Sequence, residues 1–192
     1  MLRRVIELKK MIRFFALVML ATCVLFGCKK EVKLNDYKLE DVMEEEAVFV
    51  YEYHNVYDTS FVWIFNKHGK GKRVEYKYFR KVKNGDEYTN EAYLRAADEC
   101  MKDENIPFNE ESIALDEDMV EYCIRYPELC LEPQNDVAVV DASDEYYYMI
   151  CGTKKERHRV KVKQWGTWEA EPEDEVLREV CEQIEVYIND NW

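Results

Sequence analysis

From Val48 onward the chain alternates between apolar and polar positions. Val48–Tyr53 is β-branched and aromatic, and Ser60–Phe65 sets Phe61, Trp63 and Phe65 against Val62 and Ile64 on the opposite face. This period of two predicts two strands. Lys67–Gly71 reads as a turn, and Arg73–Arg80 returns with Val74, Tyr76 and Tyr78 on one face, which predicts a hairpin. After a second turn at Asn84-Gly85-Asp86 the period lengthens. Tyr93, Ala96, Ala97 and Cys100 share one helical face behind Asn90, which suits a cap. Asp116 is placed to cap a further short helix carrying Met119, Val120, Cys123 and Ile124, which stops before Pro127.

Strand patterning resumes after an irregular stretch closed by Pro133. Val137–Val140 and Tyr146–Cys151 are apolar or aromatic, Gly152–Lys155 turns the chain, and Arg157–Trp168 sets Val160 and Val162 against Arg159, Lys161 and Lys163. The last element is an amphipathic helix. Val176, Leu177, Val180, Cys181, Ile184 and Ile188 form its stripe, Pro172 suits its first turn, and Glu173, Asp174 and Glu175 complement its dipole. The order strands, helices, strands, helix predicts an α+β fold. The expectation is an antiparallel sheet of about five or six strands built from hairpins, one face covered by the C-terminal helix and two shorter helices.

Upstream of this domain the pattern changes twice. Residues 29–47 are dominated by charge and contain neither proline nor glycine, so 28–47 is expected to be a charged tether ahead of a single globular domain over 48–192. Before it, Arg3, Arg4, Lys9, Lys10 and Arg13 precede the uncharged, mostly apolar run Phe14–Phe26. That run is shorter than the roughly twenty residues of a spanning helix, and it has the layout of a secretory signal. It ends in Leu25-Phe26-Gly27-Cys28, followed by Lys29-Lys30.

Residues 1–28 thus resemble the lipobox signal peptide of bacterial lipoproteins. The resemblance implies cleavage before Cys28, a thioether-linked diacylglyceryl group on its sulfur and an amide-linked acyl chain of the palmitate type on its amino group. Several chains together hold a protein at a bilayer nearly permanently, where one alone binds marginally. Cys23 competes for the lipid, but it follows Thr22, whereas Cys28 follows the small Gly27. Met11 offers a second start that would give a shorter basic region. Lys29 stands where an aspartate often retains such proteins at the inner membrane, so the resemblance favours the outer one. The expected address is the cell envelope, facing the periplasm or the surface.

Charge narrows the partners. The whole chain of 192 residues carries a net charge of −13, and removing five basic residues and one acidic residue with the first 27 residues takes it to −17. Such a surface repels phosphate backbones, which argues against nucleic acid. Export would place Cys100, Cys123, Cys130, Cys151 and Cys181 in an oxidising space and makes them candidate disulfide cysteines. A tie among the first three, or between Cys151 and Cys181, is one reading; small buried thiols are the other. No Cys-x-x-Cys pair occurs, and neither a metal nor another cofactor is expected beyond the covalent lipid.

Catalytic patterning is thin. His54 lies near Asp58 and Ser60, and His158 follows Cys151, but no Gly-x-Ser-x-Gly elbow accompanies them. The abundant acidic pairs read as a solvated surface. Aromatic residues are the stronger lead: Trp63, Tyr147, Trp165 and Trp168 are candidate binding residues, on the expectation that one sheet face lacks helices. Exposed tyrosine and tryptophan stack on sugars or anchor proteins. The expected role is a lipid-anchored envelope binding or interaction module for an envelope protein or glycan. The alternatives are an envelope hydrolase using His54 or His158 with carboxylates, and a structural or assembly lipoprotein.

Overall fold

The computed structural model describes residues 36–55, 59–83, 89–125, 131–133, 143–153, 156–166 and 169–191. The lipobox with Cys23 and Cys28, the turn at 84–86, Cys130, the segment 137–140 and Trp168 lie outside the described residues. The compact unit that carries the fold runs from Leu34 to Trp192.

The strands are β1 (Phe49–His54), β2 (Phe61–Phe65), β3 (Gly71–Glu75), β4 (Leu131–Pro133), β5 (Asp144–Gly152), β6 (Arg157–Trp165) and β7 (Ala170–Pro172). The helices are α1 (Tyr76–Val82), α2 (Asn90–Lys102), α3 (Glu117–Arg125) and α4 (Glu175–Asp190), with a 3-10 turn at Leu39–Asp41. The strands form one sheet in the order β3-β2-β1-β5-β6-β7-β4, and every recorded pair is antiparallel. The α+β class and the antiparallel sheet are as the sequence predicts.

The helices divide between the two faces of this sheet. On one face Phe49, Tyr51, Phe61, Trp63, Phe65, Tyr147 and Met149 pack against α3 and α4. On the other, Val50, Val62, Ile64, Val74 and Ile150 pack against α1 and α2. The expectation of helices on one face only therefore needs correction: the alternating residues of β1 and β2 are apolar on both sides, and each side has its own helical cover. Burial is worth about 1.5–3 kcal/mol for each large apolar side chain, so neither side is left open.

Local chemistry explains where elements begin. Arg73–Arg80 is not one strand. Tyr76, Phe79 and Val82 repeat at helical spacing, and Phe79 is fully buried against Tyr93 of α2, with ring centroids 5.3 Å apart. The cap of α2 is Thr89, whose hydroxyl accepts from the Ala92 amide at 3.2 Å. Asn90 instead joins α2 to β6, donating to the Arg157 carbonyl and accepting from the Arg159 amide. Asp116 caps α3 as expected, accepting from the Asp118 amide at 2.8 Å. Pro172 ends β7 rather than opening α4; Asp174 caps that helix by accepting from the Val176 and Leu177 amides.

Part of the expected tether belongs to the fold. Tyr37, Val42 and Ala47 are buried. The Leu39 amide donates to Glu121 of α3, and the Lys67 ammonium donates to the Val42 carbonyl at 2.8 Å. Arg157 fastens the end of this strap: its guanidinium lies 2.8 Å from Asp98 and 3.0 Å from Glu46, and it donates to the Ala47 carbonyl at 2.7 Å.

Candidate functional site

The candidate site lies where β1, β5 and β6 meet the last turns of α4. Tyr51, Tyr147 and Lys163 stand side by side across the three strands, and Glu145 and Trp165 form the next pair along. A bulge puts them together. Tyr147 opposes Lys163 while Tyr148 opposes Lys161, so Val162 is an extra residue in β6. Val160 and Val162 both face the α4 side, and the extra residue brings Lys163 and Trp165 to that side too. Gly166, with φ of 114°, then turns the chain away; a Cβ there would run into the Ser143 carbonyl.

These residues line a recess of about 80 Å³, walled on the α4 side by Glu185, Ile188 and Asn189. That is room for a few non-hydrogen atoms rather than a whole small-molecule ligand, whose pocket is roughly 300–1,000 Å³. Tyr51 and Tyr147 meet edge to face in its floor, with centroids 4.9 Å apart. Trp165 stands at its rim with 49% of its surface exposed.

The charges in the recess are unevenly matched. The Lys163 side chain is only 8% exposed, and its ammonium lies 2.8 Å from Glu185 and 3.3 Å from Glu171. Burial works against that charge, but the two carboxylates outweigh it and raise the pKa. Glu145 is half-buried. It accepts a 3.3 Å hydrogen bond from the Tyr147 hydroxyl and interacts with the Tyr51 hydroxyl. Burial raises its pKa above the ordinary carboxylate value, against the opposing effect of these hydroxyls. Burial, and then the Glu145 charge, likewise raise both tyrosines.

Of the four candidate aromatics, Trp165 is exposed and Tyr147 is buried with its hydroxyl edge in the recess. Trp63 is a core residue, 3% exposed and stacked 5.8 Å from Phe65, so its expected binding role is not met. Trp168 lies outside the described residues. Glu145, Lys163 and Glu185 were not singled out by sequence pattern; the one signal for Lys163 was a lysine in a strand whose neighbours are buried.

The histidines hold other positions. His54 Nε2 is 2.9 Å from Glu52, whose other oxygen accepts a 2.6 Å hydrogen bond from the Tyr93 hydroxyl. The imidazole is held edge-on between Tyr76 and Tyr146. Ser60 Oγ is engaged with the backbone of Asn55, accepting from its amide and donating to its carbonyl. His158 Nε2 lies 3.2 Å from Cys151 Sγ, a thiol rather than a carboxylate. Cys100, Cys123, Cys151 and Cys181 are free and buried, which corrects the disulfide expectation for these four. Cys100 faces the α2 side and the other three face the α3 and α4 side. Burial pushes Cys100, Cys151 and Cys181 up to about 12, so they are protonated thiols. No group of three or more metal-ligating side chains occurs among the described residues.

No protein-family profile, curated protein or solved structure matches the chain.

Proposed function

We infer that this chain is a lipid-anchored cell-envelope protein that acts as a binding module, with the Trp165 recess as its point of contact. The observation that carries the reading is Trp165 itself. A large aromatic ring is half-exposed beside a small polar recess, while the apolar clusters on the two faces of the sheet are buried. Exposed tryptophan next to fixed polar groups is a frequent anchor of binding surfaces. The lipobox-like Leu25–Cys28 supplies the anchoring half of the reading.

Two substitutions test the two halves. Cys28→Ala moves the protein from the membrane pellet to the soluble exported fraction; unchanged pelleting contradicts lipidation. Trp165→Ala leaves the fold intact by circular dichroism and abolishes capture of envelope material, either isolated peptidoglycan or detergent-solubilised protein. Equal capture by the variant contradicts the assigned contact point. A hydrolase reading is favoured by the 2.9 Å contact of His54 with Glu52, and loss of a hydrolytic activity in His54→Ala with binding retained would replace the binding reading with it.

A further inference from the structure

We propose that the recess takes the ammonium end of a lysine-like side chain on an envelope polypeptide, with Glu145 as counter-ion and Trp165 as cover. This rests on reading the recess as the contact point.

Charge balance is the first argument. Two carboxylates, Glu145 and Glu185, line the recess with one ammonium, Lys163, which is already shared between Glu185 and Glu171 outside the lining. Glu145 has tyrosine hydroxyls for neighbours; the Lys163 charge acts on it, but among the described residues no cation lies within ion-pair distance. A carboxylate taken from water without a counter-ion is costly. Here it borders an opening, so an incoming cation can supply the missing charge.

Size and surface chemistry narrow the cation. A recess of about 80 Å³ admits the end of a chain, not a sugar or an aromatic ring. Glu145 and Trp165 are directly paired on neighbouring strands, and side chains so placed start roughly 4.5–5.5 Å apart. One group bound at this pair is therefore within reach of both the carboxylate and the indole. An indole attracts ammonium within roughly 6 Å, and its edge covers the methylenes of an alkyl stem. Cation–π contacts recur in this fold, with Arg159 lying 3.9 Å over Tyr93 and Arg73 4.3 Å over Phe61. The net charge of −13 steers cationic partners toward the protein.

The test uses the mature chain, 15N-labelled, with Nα-acetyl-lysine amide as probe and Nα-acetyl-norleucine amide as its uncharged match. The lysine probe is expected to shift the Trp165 indole resonance saturably, and the norleucine probe is not. Glu145→Gln, with the rest of its spectrum unchanged, is expected to weaken the lysine probe by about tenfold or more. Trp165→Phe, which keeps a ring, retains part of the affinity. Equal shifts from both probes, or undiminished binding by Glu145→Gln, overturn the proposal. If the lysine probe fails while Trp165-dependent capture of envelope material persists, the ammonium assignment falls and the binding reading stands. If that capture fails too, both fall.

Discussion

Glu145 and Trp165 face each other across β5 and β6, and they share the α4 side because Val162 is an extra residue in the strand. Removing Val162 restores regular pairing and leaves Lys163 and Trp165 on that side. Removing Gln164 instead moves Trp165 into the neighbouring register position, which points to the opposite face. The Val162 deletion is therefore expected to lose about 1.5–3 kcal/mol of valine burial while keeping Trp165 at the recess. The Gln164 deletion loses the Trp165 environment outright. Acrylamide quenching of tryptophan fluorescence, read beside urea unfolding, separates the two.

Lys163 and Glu185 form a pair with unequal exposure, 8% against 46%. Lys163→Ala leaves Glu171 and Glu185 without their shared cation and is expected to cost about 1–3 kcal/mol, the range for losing hydrogen bonds to a charged group. Glu185→Gln leaves Lys163 with Glu171 and is expected to cost about 1 kcal/mol or less. Urea denaturation of the two variants measures the difference; equal losses would contradict the asymmetry.

Glu145 gives the fold a pH dependence of definite sign. Its folded pKa is raised by burial, so the native state holds that proton more tightly than the unfolded chain. Its contribution to stability is full below the ordinary glutamate value and is lost as pH rises through the folded value. Glu145→Gln is therefore expected to raise Tm at pH 7, with the gain shrinking to nothing near pH 4. A variant that is less stable than the parent at pH 7 contradicts this.

Arg157 closes the strap on the domain. Arg157→Ala leaves Glu46 and Asp98 facing each other without a cation and frees the Ala47 carbonyl. The expected loss is about 3–5 kcal/mol. A chain beginning at residue 48 removes Tyr37, Val42 and Ala47 from the core as well and is expected to be less stable still. Thermal unfolding of both, with protease susceptibility around Asp36–Glu46 in the point variant, measures the strap.

Much of this was legible from local pattern. Phe61, Trp63 and Phe65 against Val62 and Ile64 is period two without exception, and the stripe from Val176 to Ile188 is period 3.6 with an acidic start. The errors come where two periods coexist or where register decides. Val74, Tyr76 and Tyr78 alternate like a strand while Tyr76, Phe79 and Val82 repeat like a helix, and the buried Phe79–Tyr93 contact chooses the helix. The bulge at Val162 has no compositional mark, so the meeting of Lys163 and Trp165 with Tyr51 and Glu185 was invisible before the strands were paired. Tyr37 and Val42 were hidden among charged neighbours, because two apolar residues in so short a stretch carry no period.

The most direct measurement of the central claim is photo-crosslinking in the native envelope. A benzoyl-phenylalanine at position 165 is expected to give discrete adducts at a defined partner mass, while the same residue at exposed Glu75 or Lys102 gives none. Absence of adducts from position 165, or equal adducts from all three, would contradict the account.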